Sequence, residues 1–143
     1  MPTRRSWLMK SEPGSYAIDD LARDRRTFWN GVRNYQARNF MRDGMKAGDL
    51  VLFYHSNAEP PGVAGLARVF GKARPEPDDP AWVGVDLEFV ERFSRILPLA
   101  ALKAEPALRG MLVLQRGMRL SVQPVEERHV RKVLTLARAA AKS

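Results

Sequence analysis

The pattern of hydrophobic and polar residues predicts a chain built mainly from strands, with helices between and after them. Apolar runs and strict alternation, both typical of strands, occupy residues 6–10, 50–54, 63–70, 82–93 and 119–124. Helical spacing of apolar residues occurs in 16–26, 34–43, 98–108 and 126–141. The run at 50–54 is apolar throughout, which predicts a strand in the interior of its sheet.

The order of these elements favours an α+β fold. Runs of strands without a regular strand–helix alternation are typical of an antiparallel or mixed, partly closed sheet with helices packed around it. The chain has 143 residues, 45% of them hydrophobic, which is enough for one buried core. We therefore expect a single domain over residues 1–143.

Three details of this prediction can be tested by a structure. Along 82–93 the alternation places Val83, Val85, Leu87, Phe89 and Phe93 on one buried face. Gly65, inside a strand, indicates a bulge or the close approach of another backbone. His129 lies beside the apolar face of the last helix, where we expect it at the surface or its boundary.

Composition excludes several kinds of site. The chain has no cysteine, so disulfides, thiolate zinc sites and cysteine nucleophiles are absent, and two histidines, His55 and His129, are too few for a convincing metal site. We expect no metal and no cofactor. No apolar run is as long as a membrane span and no signal peptide opens the sequence. We expect a cytoplasmic protein with no membrane partner, found at the nucleoid or in the nucleus if it binds nucleic acid.

The net charge of +8 favours a polyanionic partner. An excess of lysine and arginine binds phosphates and releases counterions from nucleic acid. The alternative is an arginine-rich surface without such a role, and charge alone separates the two only weakly.

The segment 28–40 concentrates the groups that would hold a nucleotide. Two aromatic residues precede Gly31, and the segment also contains two arginines and three asparagines, most of which follow Gly31. Asn34 is the expected N-cap of the next helix. Aromatic planes, amides and guanidinium groups contact the face, the edge and the phosphate of a nucleotide. An ordinary amphipathic helix with a solvated polar side explains the same pattern.

Polar clusters also follow several predicted strands: Lys10-Ser11-Glu12, Arg33-Asn34, His55-Ser56-Asn57 and Ser121 with Gln123. If the strand ends meet at one mouth, Trp29 with Phe53 or Tyr54 would form walls for a flat base. Ser11, Glu12, Asn34 and Gln123 would contact the base edge, while Lys10, Arg33 and Arg38 would meet phosphate. Trp7 and Phe53 fit a plain hydrophobic core equally well.

A catalytic interpretation has weaker support. Lys10, Ser11 and Glu12 offer acid, base and nucleophile, and His55-Ser56 is a second candidate pair. The chain lacks GxSxG, P-loop and HExxH motifs. Neighbouring residues of a strand also point to opposite faces, which is poor geometry for proton transfer between His55 and Ser56.

The sequence resembles the EVE-domain family from Trp7 to about Leu136. The similarity is carried by several blocks in the family's order: WLMKSEP (7–13), IDDL (18–21), WNGVRNYQARNFMR (29–42), GDLVLFYHSN (48–57), PGVAGLARV (61–69), W-V-x-VD (82–86) and RLSVQP (119–124). One departure, Glu126-Glu127, falls at the start of the last helix, where relatives often place a capping Ser or Thr.

This resemblance implies a PUA-like fold, a small mixed or antiparallel β-barrel with surrounding helices, similar to YTH and ASCH domains. It implies a module that binds DNA or RNA and accepts a flipped modified base, modified cytosine above all, without turnover. The implied base-binding residues are Lys10, Ser11, Glu12, Trp29, Gly31, Val32, Arg33, Asn34, Gln36, Asn39, Phe53, Tyr54, His55, Ser56, Ser121, Gln123 and Pro124. Expected phosphate contacts are Arg38, Arg42 and Lys46.

Two other functions stay open at this point. ASCH-type relatives include small hydrolases of acylated nucleosides that use a lysine, a hydroxyl residue and a glutamate, which matches the types of Lys10, Ser11 and Glu12 but not their adjacency. A protein-interaction module with a vestigial pocket is the other. The sequence leaves open which base modification is preferred, whether the polymer is DNA or RNA, and the oligomeric state.

Overall fold

The fold is one mixed sheet with helices on both of its faces, seen in a computed structural model that describes residues 5–141. Within these residues the strands are Ser6–Ser11 (β1), Arg26–Trp29 (β2), Leu50–His55 (β3), Gly62–Val69 (β4), Arg74–Pro75 (β5), Val83–Pro98 (β6) and Val122–Val125 (β7). The α-helices are Ile18–Asp24 (α1), Tyr35–Asn39 (α2), Leu99–Ala104 (α3) and Glu127–Ala141 (α4). A π-turn, Phe40–Gly44, extends α2, and 3₁₀ turns cover Pro106–Leu108 and Leu112–Leu114.

The strand order is β2-β6-β4-β3-β1-β7, and the short β5 pairs with β6 outside this path. β1 pairs in parallel with β3, whereas the other pairings are antiparallel. The predicted mixed sheet with helices is confirmed. The predicted closure into a barrel is not, because the ladder of the described residues starts at β2 and ends at β7 without a pairing between them.

The middle strands are buried on both faces, as the continuous apolar run at 50–54 predicts. Trp7 on β1 and Phe53 on β3 lie in a core on the side of α1 and α2. Leu8 and Leu52 point to the opposite face, into a second core with α3 and α4. Alternation along each strand therefore supplies two cores from one sheet.

β6 changes faces half-way along its length. Leu66 pairs with Glu91 while Ala67 pairs with Phe89, so one residue of β6 is extra at this point and forms a bulge. The bulge reverses the alternation, and Phe93 lies in the second core rather than beside Val85 in the first. The prediction of one continuous face through Phe93 is therefore wrong beyond Phe89.

Gly65 on β4 bears out the expected close approach. A Cβ atom at this position would clash with the carbonyl oxygen of Glu91 and lie 2.8 Å from the Ile18 side chain. Only glycine lets β6 and α1 pack against this point of the sheet.

Two other details differ from the sequence prediction. β2 has no counterpart among the predicted strands, because its four residues acquire strand geometry only through pairing with β6. His129 is 1% exposed instead of lying at the surface, and the segment at Gly110 packs against it, since a Cβ atom at Gly110 would lie 3.9 Å from the His129 Cε1. None of the helices in residues 5–141 is long and apolar enough to cross a membrane.

Asp49, before β3, joins three parts of the chain. Its carboxylate is 2% exposed and accepts hydrogen bonds from the Trp7 indole Nε1–H at 3.0 Å, the Arg5 amide at 3.1 Å and the Lys46 amide at 2.9 Å. The carboxylate thereby aligns the start of β1 with the turn that precedes β3.

We predict that Asp49→Ala lowers the free energy of unfolding by about 2–4 kcal/mol, because buried N–H donors lose their acceptor. Urea denaturation followed by tryptophan fluorescence measures the change. Asp43→Ala, which removes an exposed carboxylate, is the matched control and should be close to neutral. Equal midpoints for Asp49→Ala and the native chain would contradict the assigned role of Asp49.

Candidate functional site

A cavity of about 460 Å³ opens beside the ends of β1 and β2. Its volume lies within the range of about 300–1,000 Å³ that small-molecule sites occupy. The lining residues are Lys10, Ser11, Glu12, Ser15, Tyr16, Thr27, Phe28, Trp29, Asn30, Gly31, Val32, Arg33, Asn34 and Ser121. Both polar and aromatic side chains therefore face one concave surface.

The cavity stands where the two ends of the sheet approach each other. β2 is one end of the strand order, and Ser121 immediately precedes β7, the other end. The Lys10 amide donates to the Ser121 carbonyl at 2.9 Å, which continues the β1–β7 pairing to the cavity wall. The sheet is thus curled, and the cavity occupies the gap between its edges.

The structure brings together part of the predicted site. Nine of the predicted residues line the cavity: Lys10, Ser11, Glu12, Trp29, Gly31, Val32, Arg33, Asn34 and Ser121. Five further lining residues are outside the list of predicted site residues, namely Ser15, Tyr16, Thr27, Phe28 and Asn30, although Phe28 and Asn30 belong to the segment 28–40 that the sequence indicates as nucleotide-binding. Tyr16 and Thr27 offered no motif, and β2 was not identified as a strand. Contact of any of these residues with a base stays a prediction.

The remaining predicted residues lie outside the lining. Gln36 and Asn39 are exposed on α2, and Pro124 is exposed on β7. Gln123 is 1% exposed, and its Nε2 donates to the Leu120 carbonyl at 2.7 Å. Tyr54 points into the second core, on the sheet face opposite to Phe53, because adjacent strand residues alternate.

An aromatic row forms the back of the cavity. The Trp29 ring lies 6.2 Å from Tyr16 and 5.5 Å from Phe53, at interplanar angles of 81° and 86°. Phe53 in turn meets His55 edge-on at 5.8 Å. Phe53 is completely buried, whereas Trp29 is partly exposed and lines the cavity. Neither ring that touches Trp29 is parallel to it, so these two contacts leave the indole without a stacked neighbour.

His55 has a structural partner rather than Ser56. Its Nε2 accepts a hydrogen bond from the Ile18 amide at 3.1 Å, at the start of α1. Burial lowers the pKa of His55, and the charge of Asp19 opposes this effect. The neutral ring that results is the form that can accept from Ile18. The Ser56 amide donates to the Ser11 carbonyl at 2.9 Å, so this segment supports the wall of the cavity from behind.

Lys10 and Ser11 are held by backbone carbonyls. The Lys10 Nζ donates to the Met118 carbonyl at 3.1 Å, and the Ser11 hydroxyl donates to the Tyr16 carbonyl. Burial lowers the pKa of Lys10. Because the Ser11 proton is bonded to a carbonyl oxygen and not to a base, this arrangement does not form an activated nucleophile. Within residues 5–141, no cluster of three or more His, Asp or Glu side chains is suited to a metal ion.

Glu76 fixes the loop that forms the lip of the cavity. Its carboxylate is 7% exposed and accepts two hydrogen bonds from the Arg33 guanidinium, at 2.8 and 2.9 Å, and one from the Gly31 amide at 3.0 Å. Gly31 has φ of +85°, a conformation that favours glycine. The Arg33 bonds hold the pKa of Glu76 below its usual value, with a smaller contribution from the Gly31 amide. No motif in the sequence indicates this contact, since Glu76 lies in a distant Pro- and Asp-rich loop.

The residues predicted to contact phosphate differ in whether their charge is already paired with a carboxylate. Arg42 forms a two-pronged ion pair with Asp43 at 2.9 Å, and Arg33 is paired with Glu76. Arg38 donates to the Ala81 carbonyl and to Asn39 and has no ion pair within residues 5–141. Lys46 is exposed. Phosphate binding by Arg38, Arg42 and Lys46 stays a prediction, for which Arg38 and Lys46 have the more available charges.

The chain belongs to the EVE domain family, whose model matches residues 5–136. It is 40% identical to human thymocyte nuclear protein 1 over an alignment of 164 residues, which covers 91% of this chain and 72% of the human protein. The crystal structure of human THYN1 in complex with 5-methylcytosine-containing DNA superposes with a TM-score of 0.82 at 38% identity, over 93% of this chain and 97% of that one.

A more distant likeness concerns the fold alone. The YTH domain of the Zygosaccharomyces rouxii MRB1 protein, solved with N6-methyladenosine RNA, matches with a TM-score of 0.59 at 12% identity, over 96% of this chain and 88% of that one. The EVE family match confirms the resemblance identified from the sequence blocks. The YTH likeness confirms the expected similarity of architecture.

We predict that Glu76→Gln lowers the free energy of unfolding by about 1–3 kcal/mol at neutral pH, because it removes a charged acceptor from Arg33. The pKa of Glu76 is depressed in the folded chain, so its contribution is present above the unfolded value of 4.5 and is lost as pH falls through the folded value. The stability difference between the two proteins should therefore shrink in acid below pH 4.5. Chemical denaturation at several pH values measures it, and a difference that grows on acidification would contradict this assignment.

Proposed function

We propose that this chain binds DNA or RNA and accepts one extruded modified base, modified cytosine above all, in the cavity beside Trp29. The observation that carries the proposal is the partly exposed Trp29 indole in the wall of an open cavity of about 460 Å³. A flat base has a π-face that stacks on such a ring. The complex of the homologous human THYN1 with 5-methylcytosine-containing DNA supports the same class of ligand.

The polar lining suits the edge of a cytosine. Glu12 is an exposed carboxylate of the lining, and carboxylates accept hydrogen bonds from the exocyclic amine of cytosine. Lys10 and the Asn34 side-chain amide are donors for the ring acceptors. Asn34 keeps its NH₂ group for this purpose, because its Oδ1 already accepts from the Ala37 amide at 3.0 Å.

The proposed mechanism is binding without turnover. Arg38 contacts the backbone beside the cavity, Lys46 contacts it farther along the strand near the opposite end of the β1–β3 pair, and the base leaves its stack and enters the cavity. We propose that the chain acts as one EVE domain over residues 1–143, and that its curled sheet corresponds to the PUA-like barrel, with the cavity in place of the closing strand pairs. It would work in the compartment that holds its nucleic acid, the nucleoid or the nucleus included.

Magnitudes limit the selectivity that a methyl group alone can give. Extrusion of a base costs a few kcal/mol, and stacking on an aromatic ring returns about 1–3 kcal/mol. A buried methyl adds about 0.8 kcal/mol, which corresponds to roughly a fourfold preference. Larger preferences would show that a polar group on the modification is also recognised.

We predict that Trp29→Ala weakens binding to an oligonucleotide with 5-methylcytosine roughly fourfold, to the level of the unmodified oligonucleotide, because the methylated base loses its stacking partner and with it the preference that its methyl group provides. Binding to the unmodified oligonucleotide, which depends on the backbone contacts, should change little. Titrations by fluorescence anisotropy at one fixed salt concentration measure both affinities.

Trp29→Phe is the matched control, since it keeps an aromatic ring against Phe53 and the cavity. Circular dichroism and thermal unfolding establish that each variant is folded. A folded Trp29→Ala protein with unchanged affinity for every oligonucleotide would refute the proposed site. Formation of cytidine from acylated cytidines would instead favour the hydrolase alternative.

A further inference from the structure

A stacked aromatic pair, the exposed Tyr35 and the partly buried Trp82, lies beside the cavity and belongs to neither core. Tyr35, the first residue of α2, is 64% exposed, more than the other exposed large hydrophobic residues, Phe70 at 37% and Val90 at 39%. Its ring stacks on Trp82, with centroids 4.8 Å apart and planes 27° from parallel. An aromatic ring held in a fixed orientation in solvent is typical of a stacking site.

Arg38 contacts both rings of this pair and leaves the outer face of Tyr35, the face turned away from Trp82, uncovered. The Arg38 Cζ lies 4.8 Å from the Tyr35 centroid and 5.7 Å from the Trp82 centroid. With 4.8 Å between the two rings, these distances form a nearly equilateral triangle, so Arg38 lies beside the pair. A group on the outer face of Tyr35 would be much farther from Trp82. That face is therefore not occupied by Arg38.

The aromatic pair is continuous with the cavity. Asn34 lines the cavity and caps α2, and Tyr35 follows it directly, about 3.8 Å away between Cα atoms. Arg33 also lines the cavity, and its Cζ lies 5.1 Å from the Trp82 centroid. The Glu76 carboxylate that fixes Arg33 thus sets the cavity lip and one side of the pair together.

We propose that Tyr35 stacks a second, unpaired base, the neighbour of the base in the cavity, and that Arg38 contacts the phosphate near it. This inference rests on the proposed function of the cavity. A nucleic-acid strand fits this surface because each of its nucleotides carries a flat base and an anionic phosphate next to it. The ring and the guanidinium, which has no ion pair within residues 5–141, are complementary to these two groups.

The chemistry of the ligand follows from this geometry. In an intact duplex the neighbouring base remains stacked and paired, so its face is not available to Tyr35. The preferred ligand is accordingly a strand with at least two consecutive unpaired nucleotides, one of them modified. Single-stranded DNA, single-stranded RNA and locally opened duplex share this chemistry, and they can be compared with one protein preparation.

The test is a double-mutant cycle in which a substitution at Tyr35 is combined with removal of one base from the oligonucleotide. Each single-stranded probe contains one 5-methylcytosine. In the first probe both neighbouring nucleotides are intact, and in two others the 5′ or the 3′ neighbour is replaced by an abasic site. All three are made as DNA and as RNA. Anisotropy titrations at fixed salt compare the native chain with Tyr35→Ala, Tyr35→Phe and Phe70→Ala. Phe70 is the matched control, an exposed ring with Arg26 above it at 4.6 Å that does not line the cavity.

We expect Tyr35→Ala to weaken binding of the intact strand roughly tenfold, and one abasic position to weaken binding by the native chain to a similar degree. The two changes together should cause no further loss, because both remove the same contact. Tyr35→Phe and Phe70→Ala should bind like the native chain. Arg38→Ala should reduce the slope of log Kd against log salt by roughly one.

The outcomes distinguish this inference from the function on which it rests. The role of Tyr35 would be overturned if Tyr35→Ala caused no loss of affinity, or if Tyr35→Ala and the abasic site together weakened binding by the product of their separate effects. Either result would overturn it even if the preference for 5-methylcytosine over cytosine persists. Coupling between Tyr35 and the abasic position without that preference would instead overturn the modified-base cavity. Absence of binding to all strands would overturn both. Thermal unfolding shows whether Tyr35→Ala, an exposed position, leaves the fold intact.

Discussion

The parallel pairing of β1 with β3 is the constraint on which the site depends. β1 is buried, with β3 on one side and β7 on the other, and its register aligns Ser11 with His55 at the ends of the two strands. Because these strands are parallel, both end at the same edge of the sheet. Polar side chains that would be costly in the middle of the sheet are thereby gathered at one place, next to solvent. The Asp49 carboxylate secures the other end of the same pair.

Around the cavity, hydrogen bonds hold the lining side chains and loops in place and keep the cavity open. Lys10 and Ser11 are bonded to carbonyls, His55 accepts from the start of α1, and Glu76 holds Gly31 and Arg33. Each of these bonds orders a side chain before any ligand arrives, which reduces the entropy lost on binding. They also distribute the charge. Many of the arginines are already paired with carboxylates, so the formal excess of +8 lies on the cations that have no such partner, and these define the binding surface.

Local pattern was sufficient for the elements whose character comes from their own residues. The apolar run of β3, the cap of α2 at Asn34 and the amphipathic face of α4 each follow from short-range physics. Of the nine predicted residues that line the cavity, the polar clusters at strand ends and Trp29 account for seven, and the family resemblance added Gly31 and Val32. What could not be predicted depends on long-range geometry. The bulge in β6 reverses a face, and Glu76 meets Arg33 across 43 residues of sequence. The position of Tyr54 is different, since alternation along β3 already places it on the face opposite to Phe53.

The energetics of extrusion explain why such a site needs more than one contact. A base that leaves its stack forfeits a few kcal/mol, and one aromatic wall returns about the same amount. A single cavity would therefore leave binding to the backbone charges, which do not distinguish one base from another. Recognition of a small substituent requires that the cost of extrusion be met elsewhere, either by a substrate whose bases are already unpaired or by a second stacking surface. Tyr35, one residue from the cavity and open to solvent, is placed where such a surface would act on the neighbouring nucleotide.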